Sequence, residues 1–137
     1  MKKNLFLLIP AIAMVFFLSS CSKSDSPNPP ANTTPAGSWS GTGQYGTTAG
    51  NPTYVFTLNF KANGTVDITG NNSTAIDVGS GTWQIVQDSV RAYYRYVSSS
   101  ADYTLSGKFS ASSNVMVGTI GLGTSTTGVG LFSVTRQ

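Results

Sequence analysis

The chain has 137 residues, with 8 Lys or Arg, 5 Asp or Glu and no His, which gives a formal net charge of +3. Two of the basic residues are Lys2 and Lys3, and from Cys21 onward six basic residues face five acidic ones, so 6 − 5 leaves +1. This balance excludes the clustered basic face that binds nucleic acid. The missing His removes the commonest catalytic base and metal ligand.

The N-terminus has the pattern of a secretory signal peptide over residues 1–20. Residues 1–3 are positively charged, residues 5–18 are almost wholly apolar, and Ser19 and Ser20 follow. A positive start, an apolar run of about 7–15 residues and a small-residue cleavage zone define such a peptide. The 14-residue run is shorter than the roughly 20 residues of a membrane-spanning helix, and Pro10 interrupts it. A single N-terminal anchor helix is the alternative.

The stretch Leu18-Ser19-Ser20-Cys21 resembles the lipobox of bacterial lipoproteins and holds the chain's one cysteine. The resemblance implies that Cys21 becomes the first residue of the mature protein and carries the lipid. A lone cysteine in an exported chain has no disulfide partner, which also favours attachment. Ser22 at the next position implies onward transport to the outer membrane, so we expect a cell-envelope lipoprotein on its periplasmic or surface face.

Residues 22–36 are rich in Ser, Pro, Asn and Thr and contain no aromatic or large aliphatic side chain. Such a segment cannot bury a core, so it predicts a flexible tether. The division is therefore a signal peptide at 1–20, a lipidated cysteine with its linker at 21–36, and a folded domain at 37–137.

The folded domain has the alternation of β-strands and no sustained helical period. In residues 53–61, Tyr54, Phe56, Leu58 and Phe60 share one face. Short strands separated by turn residues predict an all-β, antiparallel, eight-stranded up-and-down barrel. The predicted strands are 38–45, 53–61, 65–69, 81–87, 90–97, 102–110, 115–121 and 129–136, with a loop at 70–80.

Gly37-Ser38-Trp39 on the first strand resembles the Gly-x-Trp signature of lipocalin-like barrels, and Gly81-Thr82-Trp83 repeats it. The whole layout is similar to the small lipocalin-like lipoproteins of Bacteroidetes-type bacteria. In that family a late arginine packs over the first tryptophan and closes the base of the barrel. The resemblance implies that Gly37, Trp39 and Arg136 have this structural role here.

The inventory of catalytic residues is small, so no enzymatic activity, cofactor or metal is expected. A nucleophilic Ser or Thr needs a neighbouring base, and His is absent. A glycosidase-like pair of aspartates, among Asp67, Asp77, Asp88 and Asp102, is the alternative that a minor hydrolase would need. Calcium binding in the Asn- and Asp-containing stretch 70–79 is a second alternative to a plain loop.

Aromatic side chains supply the candidate ligand-binding residues. Trp83, Tyr94 and Tyr96 fall on inward faces, where they would stack on a sugar, enclose an apolar ligand or fill the core. Arg91, Tyr93 and Arg95 fall on the opposite face of their strand. Turned inward they would hold a carboxylate, but alternation favours an outward, solvated stripe.

Asp88-Ser89-Val90 resembles the site at which Bacteroidetes O-glycosylate exported proteins, which makes Ser89 a candidate for modification. The leading expectation is a membrane-anchored, non-catalytic lipoprotein that binds a small apolar molecule or a glycan. The alternative is a structural subunit that binds another envelope protein, and the third is the minor hydrolase.

Overall fold

Eight antiparallel strands close into a barrel in the computed structural model, which describes residues 33–71 and 76–137. Each strand pairs with the next in sequence, and the first also pairs with the last, so the up-and-down barrel predicted from the sequence is confirmed. Closure leaves no exposed sheet edge. The strands are β1 Gly37–Tyr45, β2 Thr53–Phe60, β3 Thr65–Asn71, β4 Ile76–Val86, β5 Ser89–Tyr96, β6 Asp102–Ser110, β7 Val115–Leu122 and β8 Gly128–Arg136. Within the described ranges, no helix is long and apolar enough to span a bilayer.

Alternation along the strands fills the barrel with apolar side chains. On β2, Phe56, Leu58 and Phe60 are each at most 1% exposed, whereas Val55 between the inward positions is 53% exposed. Eight-stranded barrels have an interior just wide enough for such side chains to fill. The buried core consists of Trp39, Phe56, Leu58, Phe60, Val66, Ile68, Val90, Ala92, Tyr94, Leu105, Met116, Ile120, Phe132 and Val134.

The predicted loop at 70–80 is wrong over most of its length. Strand β3 continues to Asn71, and β4 begins at Ile76, so only residues 72–75 are left, and these lie outside the described residues. Backbone pairing accounts for the strand despite its polar composition, since Gly70 pairs with Asp77 and Ile68 pairs with Gly79. The stretch that was the alternative calcium loop is therefore largely sheet.

Topology gives the barrel two different ends. The base carries the chain entry at residues 33–36, the C-terminal end of β8 and the turns after β2, β4 and β6. The opposite end carries the connections after β1, β3, β5 and β7. Residues at the end of an odd-numbered strand and at the start of the following strand therefore lie at this opposite end.

The base is closed by Trp39 and Arg136, which are direct partners across the β1–β8 pair. The Arg136 guanidinium carbon lies 4.8 Å from the centroid of the Trp39 ring and 5.6 Å from that of Phe109. Its Nη1 donates to the Ala36 carbonyl at 2.8 Å, and the Trp39 indole donates to the Pro35 carbonyl at 2.8 Å. The chain segment before β1 is thereby fixed under the barrel.

Gly37 permits this closure for two reasons. Its φ of +129° is a conformation that side-chain-bearing residues rarely adopt. A Cβ at this position would also lie 3.3 Å from Nη1 of Arg136. Arg136 therefore lies against both Gly37 and Trp39, the other two residues of the barrel-closing set.

Candidate functional site

A cavity of about 150 Å³ lies at the end of the barrel opposite the base. Five of the chain's six tyrosines line it. We call this site the tyrosine cup, and define it by Tyr45, Tyr54, Tyr94, Tyr96 and Tyr103, together with Gly70, Asp77, Ser98, Ser99 and Ile120.

Strand position explains why the tyrosines converge. Tyr45 and Tyr96 are the last residues of β1 and β5, and Tyr54 and Tyr103 are the second residues of β2 and β6. These are the ends and starts that the up-and-down topology brings to one end of the barrel. Tyr94 lies one inward step deeper, where it is 2% exposed and forms the floor with Ile120.

The rings of the tyrosine cup form two groups. Tyr94, Tyr96 and Tyr103 have ring centroids 5.3–5.7 Å apart. The ring of Tyr96 is inclined by 89° to that of Tyr94 and by 66° to that of Tyr103, whereas Tyr94 and Tyr103 are stacked at 25°. Tyr45 and Tyr54 form a tilted pair with centroids 4.7 Å apart. Tyr96 is inclined to the other two rings of its group, and Tyr45 is inclined to Tyr54, so the cup presents ring planes in more than one direction.

Two glycines lie beside the Tyr54 ring, and one of them is required there. A Cβ at Gly43, its partner on β1, would lie only 2.3 Å from the Tyr54 ring, so only glycine admits the ring in this place. A Cβ at Gly70 on β3 would lie 3.4 Å from both the Tyr54 ring and the Tyr96 hydroxyl, which is ordinary contact. Gly70 is therefore a position where a side chain would enter the cup.

Burial raises the pKa of three hydroxyls of the cup, those of Tyr54, Tyr94 and Tyr96. It raises the pKa of Tyr54 to about 12, with the neighbouring Tyr45 and Tyr103 contributing. The pKa of Tyr94 and that of Tyr96 are also raised, in both cases mainly by burial. The Tyr94 hydroxyl has Tyr96 as a neighbour but makes no well-formed hydrogen bond within the described residues.

One carboxylate, that of Asp77, belongs to the cup. Asp77 is the second residue of β4 and shares the inward face with Gly79 and Gly81. It accepts a hydrogen bond from the Ser98 hydroxyl, and its charge contributes to the raised pKa of Tyr96. Asp77 is half-buried and already has the Ser98 hydroxyl as its hydrogen-bond donor, so a bound cation would add a counter-charge to it.

The other aspartates of the domain lie in ion pairs with basic residues. Asp67 pairs with Lys61, Asp88 with Lys108 and Asp102 with Arg95, at 2.7–2.8 Å. Within the described residues the cup thus has one carboxylate, where a two-carboxylate glycosidase has two. In the same part of the chain, no three His, Cys, Asp or Glu side chains come together as they would to hold a metal ion.

The structure separates Trp83 from Tyr94 and Tyr96. Tyr94 and Tyr96 line the cup, but Trp83 lies towards the base, where its ring is 5.3 Å from Phe60 and its indole donates to the Lys61 carbonyl at 2.9 Å. Trp83, Tyr94 and Tyr96 all follow the predicted alternation. Their positions along the barrel axis, rather than their face, keep Trp83 out of the cup.

Arg91, Tyr93 and Arg95 lie on the outer surface, so the inward carboxylate clamp is not formed. The alternation that turns Tyr94 and Tyr96 inward turns these three outward. Arg95 donates from Nε and Nη2 to the two oxygens of Asp102 at 2.7 and 2.8 Å. That ion pair occupies the guanidinium on the outside of the barrel.

The remaining sequence candidates lie away from the cup. Ser89 begins β5 directly after a turn at the base end, and its hydroxyl donates to Asp88 at 3.2 Å. Lys108 and then Ser89 hold the pKa of Asp88 below its usual range. Cys21 lies outside the described residues.

Sequence analysis missed Tyr45, Tyr54, Tyr103 and Asp77 as members of the site. The usable signal was the position of each residue within its strand, counted from the end that the topology brings to the cup. Comparison of the chain with protein-family models, with curated proteins and with solved structures found no match. The function is therefore inferred from the geometry of the cup.

Proposed function

We propose that this chain is a lipid-anchored protein of the bacterial cell envelope whose barrel binds a small molecule in the tyrosine cup. The observation that carries the proposal is the convergence of five tyrosines on one cavity at the end of the barrel. A concave site with aromatic walls and a few convergent polar groups is the usual form of a small-molecule site. The lipobox at Cys21 supports the anchor.

The size of the cup limits the ligand. A cavity of about 150 Å³ holds a benzene-sized group and is smaller than the roughly 300–1,000 Å³ of sites for drug-sized ligands. Of the two ligand classes expected from the sequence, a small apolar molecule or a glycan, the cup would take one ring at a time. The tyrosine rings would stack on that ring, and the Asp77 carboxylate and the Ser98 hydroxyl would bond its polar groups.

The direction of the chain supports a binding role for an anchored protein. Residues 33–36 enter at the base, where Arg136 and Trp39 hold them, and the cup lies at the opposite end. A tether running from Cys21 to the base would leave the cup turned away from the membrane, open to solutes.

The second candidate is an accessory subunit that binds another envelope protein. Ile76, Val78 and Val97 form an apolar patch on the outer face beside the cup, with exposures of 65%, 49% and 84%. Val97 donates its backbone N–H to the Val78 carbonyl at 2.8 Å, which keeps the patch together. Exposed apolar groups of this kind favour contact with a partner protein.

The test compares full-length wild type with Gly70→Leu, both purified in detergent from the cells that process them. A Cβ at position 70 would touch the Tyr54 ring and the Tyr96 hydroxyl at 3.4 Å, so the larger leucine side chain would take up space in the cavity that these residues line. We expect mass spectrometry of extracts to find a small molecule with wild type and not with Gly70→Leu. Thr69→Leu, which places a leucine on the opposite face of the same strand, is the control and should retain the molecule. Retention by Gly70→Leu would contradict a ligand in the cup.

A further inference from the structure

The charge of the tyrosine cup is negative and uncompensated by any basic side chain in its wall. Asp77 supplies one carboxylate, and no Lys or Arg is among the described residues that line the cavity. The nearest basic residue on the neighbouring strand, Arg95, points outward and is held by Asp102. An electrically neutral ligand would leave this carboxylate without a counter-charge, whereas a cation would supply one.

The walls of the cup have the chemistry that attracts organic cations. The face of an aromatic ring carries negative charge density, and a cation within about 6 Å of the ring centre is attracted to it. The rings of Tyr94 and Tyr103 are stacked at 25°, and the ring of Tyr96 crosses them at 89° and 66°. A rounded group in the cup would therefore meet ring planes from two directions, and aromatic rings around a cation are the arrangement of quaternary ammonium sites.

The hydroxyls add to this preference. Those of Tyr54, Tyr94 and Tyr96 stay protonated well above neutral pH, because burial raises the pKa of each. The cup therefore presents neutral rings with oxygen lone pairs and one formal negative charge at Asp77.

Size decides which cations fit. A hydrated inorganic ion gains little from ring faces, and a peptide-sized cation exceeds a cavity of about 150 Å³. A trimethylammonium group is comparable in volume to a benzene-sized group, which such a cavity holds. Its methyl groups would contact the rings while its charge faces Asp77.

We propose that the tyrosine cup binds an alkylated ammonium head group, with the tyrosine rings around its methyl groups and Asp77 as its counter-charge. This inference rests on the proposed function, because it names the ligand class of the same site. The head group could come from a free solute or from a phospholipid, and both share the chemistry that the cup recognises.

The deciding experiment compares a cation with its neutral isostere. Choline and 3,3-dimethylbutan-1-ol have the same shape, but only choline is charged. Each is titrated into the full-length purified protein by calorimetry and by tyrosine fluorescence. We expect choline to bind at least about tenfold more tightly, which is about 1.4 kcal/mol. Glycerophosphocholine, a phospholipid head group without chains, is titrated in parallel, and tighter binding than choline would indicate the lipid source.

Variants test the role of Asp77. We expect Asp77→Asn to weaken choline binding about tenfold, while binding of the neutral isostere stays unchanged. Asp67→Asn, which removes a carboxylate of the outer ion pair with Lys61, is the matched control and should bind choline like wild type. If Asp77→Asn does not fold, the comparison of the two ligands on wild type still decides.

The outcomes separate this inference from the proposed function. Equal affinity for choline and its isostere would overturn the cation preference, and the small-molecule site would stand. The cation preference would also be overturned if neither choline nor glycerophosphocholine binds and the wild-type extract contains a sugar that the Gly70→Leu extract lacks. The cation preference and the proposed small-molecule site would both be overturned if no probe binds and no molecule distinguishes the wild-type extract from the Gly70→Leu extract.

Discussion

The guanidinium of Arg136 lies over the ring of Trp39 at 4.8 Å, and the two residues are direct partners across the pair of strands that closes the barrel. The same guanidinium donates to the carbonyls of Ala36 and Thr34. One side chain thus joins the last strand, the first strand and the segment that precedes it. The closure of the sheet and the entry of the chain depend on the same contact.

Arg136→Ala should destabilise the domain by about 2–3 kcal/mol, because it removes the cation–π contact and two charge-assisted hydrogen bonds. The stability of Arg136→Lys should lie between those of wild type and Arg136→Ala, since an ammonium keeps the charge but lacks the planar fork that reaches both carbonyls. Urea unfolding followed by circular dichroism measures both. Arg95→Ala is the control, because its ion pair is exposed to solvent, and losing it should destabilise the domain far less than Arg136→Ala does. An Arg136→Ala protein as stable as Arg95→Ala would contradict this role.

The fold was predictable because its signals are local. Alternation such as that of Tyr54, Phe56, Leu58 and Phe60 gives strand and face together, and turn residues separate the strands. The start of β4 was missed because Asp77, Gly79 and Ser80 have the composition of a loop. Their strand conformation depends on backbone pairing with β3 and β5, which a local pattern does not contain.

Two strand glycines should respond in opposite ways to alanine. A Cβ at Gly41 would lie 2.2 Å from the Ser133 carbonyl oxygen, so the β1–β8 backbones must move apart. We expect Gly41→Ala to cost about 1–3 kcal/mol as overpacking does. A Cβ at Gly70 meets only ordinary contacts, so Gly70→Ala should be neutral or stabilise by up to about 1 kcal/mol. Urea midpoints of the two variants test this, and equal midpoints would contradict it.

The site was only partly predictable, for a geometric reason. Alternation correctly put Tyr94 and Tyr96 on one face and Arg91, Tyr93 and Arg95 on the other. It gives no position along the barrel axis, so Trp83 was grouped with the two tyrosines although it lies towards the base. Depth follows from counting residues from the strand ends, and the start of β4 was misplaced, at residue 81 instead of Ile76. Asp77 was therefore assigned to a loop and missed as a cup residue.

Cys21→Ala tests the anchor. If the lipobox directs lipid attachment, wild type should incorporate labelled fatty acid and partition with membranes, because two or more acyl chains anchor a protein stably. The Cys21→Ala protein should lose the label and leave the membrane fraction. Ser22→Ala, which keeps the cysteine, is the control and should stay labelled. A labelled, membrane-bound Cys21→Ala protein would show that the anchor lies elsewhere.

The tyrosines of the cup should make the protein sensitive to alkali. Tyr54 has a pKa of about 12 in the folded protein, against about 10 in an unfolded chain. Below pH 10 both states keep the proton, so these groups add no pH dependence. Between pH 10 and 12 the unfolded state releases protons that the folded state retains, so stability falls as pH rises. Tyr94 and Tyr96, whose pKa values are also raised, act in the same direction.

Tyrosinate absorbance should therefore rise for at least three of the six tyrosines only as circular dichroism reports unfolding. Tyr54→Phe should lose stability less steeply above pH 10, and reversible ionisation of all six tyrosines in the folded protein would contradict the burial of the cup.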